Sequence, residues 1–262
     1  MPIIVAKDYA EVYRWKALVG TSGAMNDREE FSTEFICENI LSQLNIVENS
    51  TILDIGCGDG TLLKMVYNKI RSGLGTNANS EETHWNMMNS QSYSRISFTQ
   101  GLCDNLFFVA NDSFDYVICN SVIPLLSTKN DLQRCLDEIF RIAKPGATIW
   151  LGEVMVQDEM SVAREAYGES ISRWLFYTLF SRGFAAAKSA FIRVIKCYFG
   201  SDIFIIQPKN PFVISPQELI FLAKSSGLIF IKGLPHREQT NNGRIIQWNT
   251  RENFIFCKPQ PI

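Results

Sequence analysis

Thr51-Ile-Leu-Asp-Ile-Gly-Cys-Gly-Asp-Gly-Thr-Leu-Leu63 compresses a strand, a turn and the start of a helix into one short stretch. Thr51 to Ile55 is a brief apolar, β-favouring run, too short for a helix of its own. Gly56, Gly58 and Gly60 then alternate. Glycine admits positive φ, and no Cβ keeps a ligand away from the backbone. From Thr61, Leu62, Leu63, Val66 and Ile70 recur at helical spacing, which predicts a helix over 61–70. A strand, a glycine loop and a helix N-terminus present free backbone amides to a ligand.

The spacing separates nucleotide-type sites from one another. Dinucleotide dehydrogenases use Gly-x-Gly-x-x-Gly. Here the order is Asp54-x-Gly56-x-Gly58-x-Gly60, with Thr61 where the third dehydrogenase glycine would fall. No Gly-Lys-Ser/Thr follows, so a phosphate loop is not indicated. The Asp-x-Gly-x-Gly-x-Gly pattern resembles motif I of the class I S-adenosylmethionine (SAM) methyltransferases. The resemblance implies SAM as cofactor and S-adenosyl-L-homocysteine as product. It places the acid and the glycine loop (Asp54, Gly56, Cys57, Gly58 and Gly60) at the amino-acid end of a cationic ligand. A carboxylate suits an ammonium and a sulfonium better than it suits a phosphate.

Downstream residues extend the resemblance. Gly73 to Asn77 reads as the second strand, which in this family usually ends in an acid that accepts the ribose hydroxyls. The matching residue is Asn77, whose amide can accept and donate without charge assistance. Glu81 or Glu82 is a substitute from the next helix; otherwise both are exposed acids complementing the helix dipole. Arg95 to Gln100 is the third strand. The loop after it corresponds to the family's adenine loop, with Asp104 as the acid and Cys103 supplying an amide. Phe114-Asp115 opens the fourth strand, and Asp115 reads as a structural hydrogen-bonding residue. Asn120 and Ser121 end that strand, where ligand crevices of open parallel sheets lie. Asn120 is therefore a further cofactor-side candidate. There is no Asn-Pro-Pro-Tyr, the signature of amino-group methylation on bases and glutamine. The helix 131–143, the stop at Lys144-Pro-Gly146 and a fifth strand over 147–153 resemble the family's helix-to-strand joint. Ser215, Pro216 and Glu218 form an N-cap, first-turn proline and capping box for a helix to about 226. A sixth strand over 228–235 and a closing antiparallel strand, 253–258, complete the set.

The resemblance thus implies an α/β, Rossmann-like class I methyltransferase fold. Its seven-stranded, mostly parallel sheet has the order 3-2-1-4-5-7-6, with strand 7 antiparallel and a helical insertion after strand 5. Residues 1–48 form an N-terminal helical segment, 49–154 and 212–262 the SAM-binding core, and 155–211 the insertion. Within 170–201 there are five cations, many aromatic residues and no acid. That segment is a lid over the substrate pocket, a peripheral contact with an acidic membrane surface, or a packed helical subdomain that serves as a dimer contact.

Methyl transfer needs in-line approach, and a base where the acceptor is a hydroxyl of high pKa. His236 and Glu153 are the candidate catalytic residues. His236 follows strand six and is either the base or a solvated loop histidine. Glu153 ends strand five, and holds substrate, assists deprotonation, or bonds the first turn of the insertion. His84 reads as structural. No metal-ligand cluster stands out. The expected acceptor is a small molecule carrying a hydroxyl, such as a sugar or a secondary-metabolite intermediate. The alternatives are a lipid-linked acceptor at a membrane, and a non-catalytic scaffold, which Asn77 favours.

Composition agrees with one large globular domain or a domain plus an insertion. The 262 residues are 46% hydrophobic, enough for a substantial core, and the net charge of -2 argues against a general nucleic-acid binder. The seven cysteines are scattered and lack C-x-x-C spacing, so most read as small buried apolar residues. The N-terminus is charged too early for a signal peptide, and no run reaches the length of a membrane span. A cytoplasmic setting is expected.

Overall fold

The computed structural model describes residues 3–5, 11, 30–156, 204–206, 212–239 and 243–260. It also describes residues 172, 173, 175, 176, 179, 180, 183, 184, 187, 188, 191, 192 and 195 of the insertion. Most of the basic aromatic tract therefore lies outside the described residues, as do residues 12–29.

The strands are β1 (Ile3–Val5), β2 (Ser50–Ile55), β3 (Ile70–Asn77), β4 (Ile96–Gln100), β5 (Phe114–Asn120), β6 (Ala143–Met155), β7 (Phe204–Ile206), β8 (Ile229–Gln239) and β9 (Ile245–Cys257). The helices are α1 (Glu30–Leu44), α2 (Thr61–Met65), α3 (Ser80–Asn89), α4 (Lys129–Ile142) and α5 (Pro216–Ser225). Seven strands form one sheet in the order β4-β3-β2-β5-β6-β9-β8, with β9 antiparallel to both neighbours. Counted from β2, that is the expected order 3-2-1-4-5-7-6 with an antiparallel seventh strand.

Period-two alternation sends successive side chains to opposite faces. Ile52, Ile118, Trp150 and Ile255 pack under α1 and α2, beside Ile36, Ile40, Leu63 and Val66. Leu53, Val117, Leu151, Phe254 and Phe256 pack under α4 and α5, beside Leu132, Leu136, Ile139 and Leu219. Asp115 joins three elements at the amino ends of the strands. Its Oδ2 accepts from Thr51 N at 2.8 Å and from Thr51 Oγ1 at 2.7 Å, and Lys144 Nζ lies 2.9 Å from Oδ1. The structural role expected of Asp115 is the one it has.

Four expectations need correction. The helix after the glycine loop stops at Met65, and Ile70 opens β3 instead of continuing the helical stripe. Residues 1–48 are not all helical, because Ile3–Val5 pairs in parallel with Phe204–Ile206 of the insertion. Both partners are apolar and rich in β-branched residues, which suits a strand. β8 runs through Gln239, so His236 lies inside a strand and not beyond one. Glu82 is buried rather than exposed, and Asn79 caps α3 by accepting from Glu82 N at 2.7 Å.

Candidate active site

The glycine turn takes the shape its composition demands. Gly56, Gly58 and Gly60 have φ of 70°, 54° and 77°. A Cβ on Gly60 would stand 2.7 Å from the Phe98 ring, and one on Gly56 would collide with Val122. Gly56 N and Cys57 N donate to Thr76 O, which ties the turn to the end of β3.

Asp54 is the anomaly. It is 4% exposed, and its carboxylate accepts no hydrogen bond among the described residues. Burial, reinforced by the nearby charge of Asp59, pushes its pKa from the ordinary 3.8 up to about 8. A buried, unsolvated carboxylate is unfavourable unless a cation comes to it. A cationic ligand end beside a partly exposed glycine backbone is what this arrangement fits.

The other cofactor-side candidates have structural partners. Asn77 accepts from Gly58 N at 3.1 Å and donates to Gly58 O at 3.0 Å, so both ends of its amide clamp the glycine turn. Asn86, which sequence reasoning passed over, donates to the same carbonyl. Cys103 is buried in the α4-side core, and Asp104 is paired with Arg134 Nη2 at 2.8 Å. Leu102 and Asn105 are the exposed residues of 101–106. His84 is exposed on α3.

A second polar cluster sits at the carboxyl ends of β5 and β6. Ser121 and Glu153 hold φ of 60° and 54°, left-handed values that non-glycine residues seldom adopt. Glu153 is fully buried. It accepts from Asn120 Nδ2 at 2.9 Å and from Arg251 Nη1 at 2.8 Å, while its backbone N donates to Asn253 Oδ1 at 2.8 Å. Asn120 Oδ1 in turn accepts from Trp150 Nε1 at 3.2 Å. His236 is 2% exposed, which removes the solvated-loop reading. Its Nε2 lies 3.4 Å from Glu238 Oε1 and 3.9 Å from Glu153 Oε2. A cleft of about 140 Å³ runs between α1 and the β8–β9 edge, lined by Trp150, His236, Arg237 and Asn253 with Asn39 and Gln43 opposite. His236 and Glu153, far apart in sequence, are thus brought together. Glu238, Arg251 and Trp248 join them without having been singled out. His236 and Glu238 share a strand face at two-residue spacing, a signal visible only once β8 is known to continue past Pro235.

Residues 53–151 match the family model described as a methyltransferase domain. Chondramide synthase from Chondromyces crocatus is 26% identical over 106 residues, which is 39% of this chain but only 3% of that protein. The fold is similar to a SAM-dependent methyltransferase from Methanosarcina mazei, at TM-score 0.58 and 18% identity, covering 85% of this chain and 98% of that one. It is also similar to the N-methyltransferase NodS from Bradyrhizobium japonicum bound to S-adenosyl-L-homocysteine, at TM-score 0.59 and 12% identity, covering 95% and 98%.

Proposed function

We propose that this chain, which belongs through residues 53–151 to the SAM-dependent methyltransferases, moves a methyl group to a small-molecule acceptor, at a hydroxyl, by direct in-line transfer. The observation that carries the reading is Asp54, a buried carboxylate with no hydrogen-bond partner among the described residues, placed beside a partly exposed glycine turn. When bound, SAM supplies an electrophilic methyl on its sulfonium and leaves as S-adenosyl-L-homocysteine. Asp54 faces the positive end of that ligand, and Gly56, Cys57, Gly58 and Gly60 let it approach a backbone with little side-chain bulk, their own amides being used to hold the turn. Asn77 keeps Gly58 in position rather than reaching for the ribose. Cys103 and Asp104 line the far end by their place after β4, and Asn120 marks the border with the acceptor. On the acceptor side His236 takes the hydroxyl proton and Glu153 orients the hydroxyl, the two side chains standing 3.9 Å apart.

Calorimetry with SAM and S-adenosyl-L-homocysteine tests the cofactor half. Both bind, and Asp54→Ala weakens SAM by about tenfold or more, about 1.4 kcal/mol. Unchanged affinity in that variant removes Asp54 from the site. A turnover assay tests the acceptor half: His236→Ala lowers kcat by about a hundredfold, the low end for a general base, and leaves SAM affinity intact. Full activity retires the histidine.

One observation favours a second acceptor class. Phe176, Phe180 and Phe184 are 62%, 83% and 76% exposed on helical residues of the insertion, where every charged residue of 170–201 is basic. An apolar, cationic face suits an anionic lipid surface, and hence a lipid-linked acceptor. No helix among the described residues is long and apolar enough to cross a membrane. Flotation with anionic and with neutral liposomes separates the readings, and absence from the lipid fraction of both discards the lipid-linked one.

A further inference from the structure

Most backbone amides of the glycine turn are used inside the protein. Gly56 N and Cys57 N donate to Thr76 O, Gly60 N donates to Cys57 O, and Gly58 N donates to Asn77 Oδ1 at 3.1 Å. Among the described residues, the amide of 56–60 left without an acceptor is Asp59 N. A backbone N–H with no partner in the chain is satisfied by water or a ligand. Asp59 is partly exposed, and close enough to Asp54 for its charge to act on that buried carboxylate.

The direction of this N–H is set from the other side of its peptide. The unit is planar and trans, so Asp59 N–H points opposite to Gly58 C=O. Gly58 O accepts from Asn77 Nδ2 at 3.0 Å and from Asn86 Nδ2. Those two asparagines are 3% and 0% exposed, so the carbonyl is drawn into the interior and the N–H is turned outward. Gly58 has a φ of 54°, and a glycine leaves the next peptide free to face either way. Two amides on its oxygen select one orientation. Asn86 Oδ1 is buried with no partner, so the donor end carries the role of that side chain. The Asp59 carboxylate is turned away from its own amide: Oδ1 accepts from Thr61 N at 3.0 Å and from Thr61 Oγ1 at 2.6 Å. Lys64 Nζ donates to Asp59 O at 2.8 Å and brings a cation to the same residue.

An anion beside a cation-seeking Asp54 is the signature of an α-amino acid end, which carries a carboxylate next to its ammonium. We propose that Asn86 is a positioning residue for the cofactor: with Asn77 it holds Gly58 C=O inward and so presents the Asp59 backbone N–H to the carboxylate of SAM. The assignment rests on the SAM reading and adds the recognition of the second charge.

The test reads binding and needs no turnover. Wild type and Asn86→Leu are titrated by calorimetry with SAM and with decarboxylated SAM, which keeps the ammonium and the sulfonium and lacks the carboxylate. Wild type is expected to hold SAM at least about tenfold more tightly than the decarboxylated compound, through a charge-assisted bond. Asn86→Leu loses about tenfold for SAM and less than about twofold for the decarboxylated compound. Equal losses for both, the result of a merely structural role, overturn the proposal. A second readout uses isotope-labelled wild type and stands even if the variant does not fold. The Asp59 amide proton resonance moves downfield with SAM and much less with decarboxylated SAM; an amide that SAM leaves unmoved overturns the proposal. If wild type binds both compounds equally well, the Asp59 assignment falls and the cofactor reading stands. If it binds neither, both fall.

Discussion

Asp54 shows how much one side chain can be made to do by where the chain puts it. Its neighbours Leu53 and Ile55 in β2 are apolar, both faces of the strand are covered, and nothing among the described residues donates to its carboxylate. Because its folded-state pKa is about 8 and its ordinary one 3.8, the folded ligand-free protein binds more protons than the unfolded chain between those values. Stability therefore falls as pH rises from about 4 to about 8, at up to about 1.4 kcal/mol per unit, and levels off above. Denaturant melts of wild type and Asp54→Asn across that range check the sign, because the variant loses the slope. In the role proposed for Asp54, the same shift makes cofactor binding a proton-releasing event. A cation arriving at a protonated Asp54 favours its ionisation. Calorimetry at pH 7 in buffers of different ionisation enthalpy should report close to one proton released, and much less at pH 9. In Asp54→Asn the release disappears.

At the scale of elements, two hydrogen-bonded clamps decide whether the strands deliver their ends to the site. Asn77 is the more informative. A ribose-binding residue at the end of β3 would tolerate or improve with a carboxylate, because charge strengthens a bond to hydroxyls. A residue that both accepts from Gly58 N and donates to Gly58 O cannot, because Asp lacks the donor and faces a carbonyl. Asn77→Asp is thus expected to weaken SAM binding about tenfold and to cost about 1–3 kcal/mol of stability. Tighter binding would return Asn77 to the ribose. At the other end of the sheet, Asp115→Ala leaves Thr51 N and Lys144 without their partner. The expected loss is about 1–3 kcal/mol in urea unfolding, with KM for SAM unchanged. Legibility differed between these elements for a physical reason. The glycine turn and the β5 entry are local patterns, readable from spacing alone. Asn77 was read by analogy of position, and its real partner is a backbone group nineteen residues earlier. Likewise Ile70 extends a helical stripe on paper, yet a buried isoleucine serves a strand equally well, and the turn over 66–69 decides.

For the whole molecule, alternating strands and helices gave a parallel sheet, and the family resemblance implied its order and the closing antiparallel strand. Right-handed crossovers leave few other arrangements. The cluster around Glu153 and His236 did not follow, because it draws on β5, β6, β8 and β9 at once. Glu153 and Arg251 are 98 residues apart and meet only through the β6–β9 register. The pairing of β1 with β7 was invisible for a similar reason, since two three-residue segments about 200 positions apart carry no periodicity that links them. That pair also forms a sheet of its own, separate from the seven-stranded one. An isolated two-stranded sheet is marginal in water, whereas β2 and β5 are paired on both edges and covered on both faces. Local opening should follow this hierarchy. In native-state hydrogen exchange the amides of residues 3–5 and 204–206 are expected to exchange by local opening, with little dependence on denaturant. Those of Leu53, Val117 and Ile149 should exchange only with global unfolding. Joint protection of both sets up to the global limit would mean that the small sheet belongs to the same cooperative unit as the cofactor core. If the small sheet opens alone, SAM should leave its exchange unchanged while protecting Gly56 to Gly60. If SAM slows both, the N-terminal strand and the insertion close with the cofactor site as one body.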